Sequence, residues 1–406
     1  MNIKTIKLEI TGMTCDHCAA SIEKMLLKNL GVQEAKVNYS GGSCICSYDT
    51  TNTNQEEIVN AINATKIYTV KSITGNKNPN DNYYDLIIIG GGSAAFSAAI
   101  KAESLGLSTL MVNGGLDFGG TCVNVGCVPS KYLIRAGETA YHANHSNFAG
   151  ITPKGVDIDF ADVLRGKKKL VATLQQKKYM DVVSDFTNLQ MVAGWATFKN
   201  NKTIIVDGNK EYTAWKFIIA TGATTNIPTI EGLHATGFLT NVSLFELEDK
   251  PESITIMGAG YIGLEIAMAY HRLGVKVRII EFTDRVLRTQ TPDISEAVET
   301  CLRKEGIEIL PNFRAIKFEK KGRDTIIHCR RPDGSVTQIT EKGKLVVATG
   351  TKPNTQNLGL QNIGLQLTQS GHIAVNEKME TSLPNIYAAG DVANTPSFVY
   401  TAAYEG

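Results

Sequence analysis

Two pairs of closely spaced cysteines are the residues of this chain whose types and spacing best suit chemistry. The stretch "GGTCVNVGCVPSK" carries Cys122 and Cys127, and "GMTCDHC" carries Cys15 and Cys18. Paired thiols can close a disulfide, bind a soft metal ion as thiolates, or exchange electrons. The spacing indicates thiol chemistry at two places, with a purely structural role as the alternative.

The elements that must position these cysteines form three blocks. Residues 1–73 form a small unit, and "TGNKNPNDN" at 74–82 is a polar linker. From Tyr84 the chain reads as a buried strand, a glycine turn and a helix, and this pattern returns at "SITIMGAGYIGLEIAMAYHRLG". We therefore predict two nucleotide-binding domains, with the second inserted in the first, because "NIYAAGD" near residue 390 resembles a return to the first domain.

Composition excludes several classes of protein. With 41 basic and 40 acidic residues the net charge is +1, so the chain has no electrostatic footprint for nucleic acid. No apolar run is long enough to span a bilayer, and the N-terminus lacks a signal-peptide pattern. We expect a cytoplasmic protein, in a reducing compartment. The lysines at 167–169 are expected on the solvated face of a helix.

Both glycine turns have the spacing of a dinucleotide-binding loop. The residues in these positions are Gly90, Gly92 and Ala95 in the first copy and Gly258, Gly260 and Gly263 in the second. The first glycine permits the turn, the second lets a pyrophosphate approach the backbone, and the small third residue lets the helix pack on the strand. After the second copy, Glu281 favours a free ribose 2′-OH and therefore NADH, although Arg278 and Arg285 lie near. Asn113 occupies the corresponding position after the first copy.

Three interpretations of Cys122 and Cys127 compete. A reducing compartment and a short loop count against a structural disulfide, and no further Cys/His pair lies nearby for zinc. A redox-active dithiol is the favoured interpretation. The stretch "GGTCVNVGCVPSK" resembles the active-site signature of the flavoprotein disulfide reductases, a family that includes glutathione reductase, dihydrolipoamide dehydrogenase and mercuric reductase. The resemblance covers residues 84–406, with "ATG" at 220–222 and 348–350 and "NIYAAGD".

This resemblance implies roles for particular residues. Cys122 would exchange with the substrate, and Cys127 would lie against the flavin as the charge-transfer thiolate. Lys131 would pair with Glu265, and Tyr261 would cover the nicotinamide pocket. The resemblance also implies FAD contacts from Asp391 to the ribityl chain, and the further cofactor-binding positions are Gly120, Thr121, Lys131, Thr221, Gly222, Gly350 and Gly390.

Several stretches are similar to the mercuric reductases in particular: "AAFSAAIKA", "KYLIRAGE", "KKYMDVV" and "FVYTAA". Tyr179 matches the tyrosine that those enzymes place beside the metal; a surface aromatic on an amphipathic helix is the alternative. By contrast, "VRIIEFTDRVL" is closer to dihydrolipoamide dehydrogenase.

The N-terminal unit is similar to heavy-metal-associated domains, because "GMTCDHC" follows a strand-like stretch and opens a helical pattern. Two thiolates suit a soft ion such as Hg(II) or Cu(I), and a thioredoxin-like redox pair is the rival interpretation. Met13 is expected in the core. Cys44 and Cys46 share one face of a strand and are expected to be buried; we also hypothesise that Cys44 lends a third thiol to the metal site.

The resulting fold prediction is α/β, with two doubly wound Rossmann-like domains preceded by a small α+β ferredoxin-like βαββαβ domain. The expected segments are a heavy-metal-associated domain at 1–73, a linker at 74–82, the FAD-binding domain at 83–240 and 356–406, and the NAD(P)-binding domain at 241–355.

The implied function is reduction of Hg(II) to Hg(0) with NADH or NADPH and FAD, in mercury detoxification, with Cys15 and Cys18 capturing Hg(II) from small thiols. The alternatives are a dihydrolipoamide-dehydrogenase-like reductase and a metal-binding but catalytically incomplete fragment. The chain stops at "SFVYTAAYEG", where the family continues into an interface domain. We therefore expect a longer, homodimeric parent protein, and a membrane mercury transporter as a possible donor of Hg(II).

Overall fold

The computed structural model describes residues 3–29, 31–75, 82–146 and 148–406. Most of the predicted linker, residues 76–81, lies outside these ranges. The chain divides into two compact units. The first contains Met1–Asp117, Val183–Thr221 and Thr355–Gly406, and the second contains Phe118–Val182 and Gly222–Asn354.

The N-terminal domain has the predicted βαββαβ order. Its elements are β1 (Ile3–Thr11), α1 (Asp16–Leu26), β2 (Val32–Asn38), β3 (Ser43–Asp49), α2 (Gln55–Asn63) and β4 (Thr69–Gly75). The strands form an antiparallel sheet in the order β2-β3-β1-β4. Alternate residues of β1, namely Ile6, Leu8 and Ile10, are buried under the helices. The ferredoxin-like prediction is confirmed, and β4 extends two residues into the predicted linker.

The elements of the two nucleotide-binding domains alternate between the units along the chain. The first segments are β5 (Tyr83–Ile89), α3 (Ser93–Ser104), β6 (Thr109–Asn113), α4 (Gly120–Asn124), α5 (Cys127–Asn144), α6 (Phe160–Gln175), a π-helical turn (Gln176–Met180) and α7 (Asp181–Val183). Next come β7 (Leu189–Ala193), β8 (Ala196–Asn200), β9 (Thr203–Val206), β10 (Lys210–Ile219), β11 (Ala223–Thr225), α8 (Leu233–Thr236) and α9 (Asn241–Leu244).

The remaining segments complete both units. They are β12 (Ser253–Met257), α10 (Tyr261–Arg272), β13 (Lys276–Ile280), α11 (Pro292–Glu305), β14 (Glu308–Leu310), β15 (Arg314–Lys321), β16 (Asp324–Arg330), β17 (Val336–Glu341), β18 (Lys344–Val347), β19 (Thr351–Pro353), a 3₁₀ turn (Leu360–Ile363), β20 (Ile386–Ala388) and α12 (Val399–Glu405).

Besides the N-terminal sheet, the first unit contains a sheet with the strand order β7-β6-β5-β10-β9-β8, and β20 also pairs with β10. Strands β7, β6, β5, β10 and β20 are parallel, as expected for buried, continuously apolar strands such as "LIII" of β5. The pairing of Phe217 with Ile386 confirms that the chain returns to this sheet late.

The second unit contains a parallel sheet in the order β14-β13-β12-β18 and an antiparallel sheet of β15, β16 and β17. Helices α4 to α6 and the first two residues of α7 also belong to this unit, although the sequence grouped them with the FAD-binding domain. The reason is that α5 packs along α10, as Leu133 and Ala267 share one hydrophobic core.

One prediction about α6 is wrong. The side chain of Lys167 is 2% exposed, and it does not lie on the solvated face of the helix. Its Nζ donates to the carbonyl of Phe245 at 2.5 Å and lies 3.4 Å from the carboxylate of Glu246. A run of charged residues is solvated only where it lies on an exposed face of the helix. Lys167 instead lies on the face of α6 that includes the buried Leu164.

Candidate functional site

The central cysteines lie at the starts of two successive helices of the second unit. Cys122 is the third residue of the short helix α4, and Cys127 is the first residue of α5. Gly119 precedes α4 with φ +106°, a left-handed conformation that the sharp turn into this helix requires. Both cysteines are free thiols here. The sequence thus folds locally to bring two thiols together, and Cys127 lies at the N-terminus of the 18-residue α5, where a thiolate is stabilised.

The two thiols differ in charge. The hydrogen bond from the Cys122 thiol lowers the pKa of Cys127 to about 6, and the positive charge of Lys131 contributes to the same shift. The same hydrogen bond, together with burial, raises the pKa of Cys122. At neutral pH Cys127 is therefore a thiolate and Cys122 the thiol that donates to it.

Lys131 lies one turn along α5 from Cys127, and its Nζ is 2.6 Å from the Glu265 carboxylate of α10. The pair predicted from the family signature therefore exists in the structure. Because Glu265 is a smaller influence on Cys127 than Lys131, the net local field favours the thiolate.

The two tyrosines singled out from the sequence are both in this unit. Tyr179 lies in the π-helical turn and is half-buried, with its ring beside the backbone of Gly119. Tyr261 is the first residue of α10 and is 54% exposed, and its hydroxyl is hydrogen-bonded to Gln290.

In the first unit, the residues present fit a dinucleotide. A Cβ on Gly90 would lie 2.1 Å from the carbonyl oxygen of Ala220, so only glycine allows this loop to close. Gly92 precedes α3 and no side chain caps that helix, which leaves its N-terminus suited to phosphate. Ala95 is buried in the helix, and Asn113 ends β6 with its side chain against Gly91.

The second glycine turn has the same construction in the second unit. Gly258 turns the chain after β12, and a Cβ on Gly263 would lie 2.1 Å from the Gly258 carbonyl oxygen. Space around Gly260 is open to 4 Å, as the approach of a pyrophosphate needs. Glu281 follows β13 and is buried; its carboxylate accepts hydrogen bonds from the backbone of Ala259 and from Thr283.

The arginines near Glu281 are not equivalent. Arg278 donates to Glu308 at 2.6 Å and to the carbonyl of Thr340, so its charge is compensated away from the glycine turn. Arg285 donates to the carbonyl of Arg288 and lies 3.6 Å from Asp284.

The other implied cofactor positions are divided between the two units, and Gly120 and Thr121 are the first two residues of α4. Thr221, Gly390 and Asp391 belong to the first unit, and Gly120, Thr121, Gly222 and Gly350 belong to the second. Burial, and next the charge of Glu405, raise the pKa of Asp391. Glu405 also accepts a hydrogen bond from the backbone N–H of Gly390 at 2.7 Å. The sequence did not identify Glu405, because no spacing rule connects it to the "AGD" loop.

The N-terminal pair is compact and accessible. Cys15 caps α1 and is exposed, and its Sγ is 3.8 Å from Cys18 Sγ. Hydrogen bonds from Thr14, and then one from the Tyr68 hydroxyl, lower the pKa of Cys18 to about 6. Thr14 lies within the motif that the sequence identified, whereas Tyr68 is fifty residues away in the chain and was missed.

Cys44 and Cys46 are buried in the core of the N-terminal domain, each at 0% exposure. Cys44 faces Leu8 and Val37 on the neighbouring strands, and burial raises its pKa to about 12. Both properties count against the hypothesis that Cys44 supplies a third thiol, which stays a prediction. Across the described ranges, no group of three or more His, Cys, Asp or Glu side chains is arranged to hold a metal ion. Met13 is packed against this core as predicted, while Cys329 is buried and Cys301 exposed.

Among the described residues, no helix is both long and apolar enough to cross a membrane.

Residues 84–406 match the pyridine nucleotide-disulphide oxidoreductase family, and residues 7–68 match the heavy-metal-associated domain. The chain is 38% identical to a mercuric reductase of Lysinibacillus sphaericus over 98% of its own length and 73% of that protein's. It is 36% identical to a mercuric reductase of Staphylococcus aureus, over 100% and 74% of the two lengths.

A solved structure supports the same fold. The Cu(II) complex of the HOCl-induced flavoprotein disulfide reductase RclA from Escherichia coli has a TM-score of 0.71 and 28% identity, over 80% of this chain and 69% of that one. The glycine turns, the cysteine pair and these relatives together show that the chain belongs to the pyridine nucleotide-disulphide oxidoreductase family and, within it, to the mercuric reductases.

Proposed function

We propose that this protein reduces Hg(II) to Hg(0) with a reduced pyridine nucleotide and so detoxifies mercury. The observation that carries this proposal is the Cys122–Cys127 pair, in which one thiol and one thiolate lie together beside Lys131. Hg(II) is a soft ion that prefers two thiolates, and the mercuric reductases are the relatives that the chain matches over nearly its whole length.

The overall reaction fixes what the residues must do. NAD(P)H, a proton and a mercury bis-thiolate give NAD(P)⁺, Hg(0) and two thiols. Cys127 enters as a nucleophile without first losing a proton, since it is already a thiolate. Cys122 holds its proton until it joins the metal, and that proton is released on binding. Lys131, paired with Glu265, stabilises the anionic sulfur. Tyr179 borders the segment that leads to Cys122.

Membership of this family implies FAD and a pyridine nucleotide. Bound FAD supplies a redox centre that accepts a hydride and passes on electrons in pairs. We assign the binding of FAD to Asp391 and to the Gly90 turn with Asn113. We assign the binding of the nicotinamide cofactor to the Gly258 turn. We propose NADH as the preferred donor, because the buried Glu281 carboxylate suits a ribose 2′-OH and repels a 2′-phosphate.

We assign capture of Hg(II) from small thiols to Cys15 and Cys18. Their exposure and the lowered pKa of Cys18 suit ligand exchange on a two-coordinate ion. We further propose a cytoplasmic protein that works as a homodimer and accepts Hg(II) from a membrane transporter. Size measurement by light scattering and a transfer assay from a transporter's cysteine-bearing segment would test the last two proposals.

The direct test is Hg(II)-dependent oxidation of NADH and NADPH by the purified chain, with FAD and excess thiol present and mercury vapour monitored. We expect vapour from the wild type and none from Cys127→Ala, with NADH the better donor. The matched control is Cys301→Ala, since Cys301 is an exposed cysteine of α11, outside the dithiol, and its loss should leave the rate unchanged.

Two results would contradict the proposal. Reduction of dihydrolipoamide-type disulfides in preference to Hg(II) would favour a disulfide reductase, as the similarity of "VRIIEFTDRVL" to that branch allows. Tight Hg(II) binding without turnover, in a chain that holds FAD, would mean a metal-binding but catalytically incomplete polypeptide.

A further inference from the structure

The helix that carries Tyr179 changes its register just before that residue. In α6 the buried face includes Leu164 and Lys167, and an unbroken α-helix would bring Lys178 onto the same face. Instead the turn Gln176–Met180 is π-helical, with the N–H of Asp181 donating to the carbonyl of Gln176 five residues earlier. One extra residue in the turn rotates the rest of the helix by about 100° relative to a continuous α-helix.

The burial of the following residues shows the consequence of this rotation. Residues 176–178 are exposed, whereas Tyr179 is half-buried. Further along, Val182 is 41% exposed and Val183 is 8% exposed, which is again a shift by one residue. The π turn therefore places Tyr179, and not Lys178, on the face that covers α4.

Two side chains of this face contact the segment that precedes Cys122. Gln175 Nε2 donates to the carbonyl oxygen of Phe118 at 2.9 Å. The ring of Tyr179 lies so close to Gly119 that a Cβ there would be 3.4 Å from Tyr179 Cδ2. Residues 118–119 are thus contacted by the Gln175 amide and by the Tyr179 ring, and the Phe118 carbonyl also accepts a longer hydrogen bond from Asn124 of α4 at 3.5 Å.

This contact lies directly before the helix that carries Cys122. Helix α4 has five residues and begins at Gly120, directly after the held segment. So short a helix is not stable by itself, and its orientation depends on what holds its ends. Cys122 lies less than one turn from Gly119, so a displacement of the segment is passed to its thiol.

We propose that Gln175 and Tyr179, which we call the Gln175–Tyr179 clamp, are positioning residues that hold Cys122 opposite Cys127 for closure of the disulfide. The proposal rests on the redox role assigned above to these cysteines. Closure needs the two Cβ atoms at about 3.8 Å, and a loosened segment meets this geometry less often. Loss of the clamp should therefore favour the dithiol over the disulfide.

The test is the redox equilibrium of the purified, FAD-containing chain in mixtures of reduced and oxidised dithiothreitol, without mercury. One dithiothreitol disulfide accepts the two electrons that Cys122 and Cys127 lose on closure. It takes one proton from Cys122 and a second from solvent, because Cys127 is already a thiolate. Thiols are then blocked with a maleimide and the peptides are measured by mass spectrometry. For Gln175→Met we expect a shift of about tenfold towards the dithiol, which is about 30 mV for a two-electron couple.

Gln176→Met is the matched control, because Gln176 is the next residue and is exposed, and its side-chain amide donates to the equally exposed Asp181 at 2.6 Å and not to Phe118. Its equilibrium should stay within about twofold of the wild type. In a second pair of variants, each variant lacks one residue of the π turn. Deletion of Lys178 keeps the tyrosine on the covered face and should retain the wild-type equilibrium, whereas deletion of Tyr179 places Lys178 there and should shift it.

Equal equilibria for Gln175→Met and Gln176→Met would overturn the clamp, and so would equal behaviour of the two deletions. If the deletions do not fold, the comparison of Gln175→Met with Gln176→Met decides alone. A wild-type chain that closes no Cys122–Cys127 disulfide would overturn both the clamp and the redox role, whereas failure to produce mercury vapour would bear only on the substrate.

Discussion

The hydrogen bond between the two central thiols determines which sulfur is reactive. Because the Cys122 thiol is the main cause of the low pKa of Cys127, Cys122→Ala should raise that pKa from about 6 towards the value of about 8.5 for a free cysteine. Only the thiolate is alkylated, so the wild-type rate should fall as the pH drops through 6, and the variant's should fall near pH 8 to 9. The measurement is iodoacetamide labelling of the Cys127 peptide against pH.

Lys131→Met is the companion variant. It removes a smaller influence and should shift the profile in the same direction by less. Coincident profiles for wild type and Cys122→Ala would show that another group sets the charge of Cys127.

Cys44 is a second residue for which the structure makes a sharp prediction. Since its thiol is enclosed by the core, Cys44→Ala should leave Hg(II) affinity unchanged while lowering the free energy of unfolding by on the order of 1 kcal/mol. Cys18→Ser, which removes an accessible thiol, should weaken Hg(II) binding sharply at little cost in stability. Competition with a small dithiol and urea unfolding measure the two quantities. Weaker Hg(II) binding by Cys44→Ala would show that Cys44 does contribute a thiol to the metal site.

At the scale of elements, Lys167 connects α6 to the end of α9. Lys167→Met should destabilise the protein by about 1–3 kcal/mol, because the carbonyl of Phe245 loses its donor inside the structure. Lys168→Met changes the next residue, which is 45% exposed and lies 3.4 Å from Glu246, and should stay within about 0.5 kcal/mol of the wild type. Urea midpoints compare the two. Similar midpoints would mean that another group or water satisfies the carbonyl.

The elements also show what the sequence could and could not predict. The glycine turns, the βαββαβ domain and both cysteine pairs were predictable because each depends on residues close together in the chain. The π turn was not, since "TLQQKKYMDVV" has no pattern that distinguishes it from a continuous α-helix. Tyr68, Gln175 and the burial of Lys167 depend on contacts between residues distant in sequence, which periodicity does not reveal.

At the scale of the whole molecule, the buried core of the N-terminal domain consists of residues of that domain, with Trp215 of β10 packed against it, and β5 begins a different sheet. A chain that starts at Asn82 should therefore still fold and produce mercury vapour from thiol-bound Hg(II). It should bind one Hg(II) fewer per chain than the wild type. Equilibrium dialysis gives the stoichiometry, and Cys15→Ser with Cys18→Ser in the full chain should show the same deficit. If the shortened chain lost turnover while the full chain with both serine substitutions kept it, the N-terminal domain would contribute to the folding of the rest of the protein.

The late return of β20 to the first sheet has a consequence for synthesis of the protein on the ribosome. Residues Phe217 to Ile219 of β10 pair with β20, which emerges only after about 170 further residues. At 5–20 residues per second, this strand edge stays open for roughly 10–30 s. An apolar edge exposed for that time can recruit a strand from another nascent chain. The order of the strands therefore leaves the growing polypeptide with an open, aggregation-prone edge until β20 has been translated.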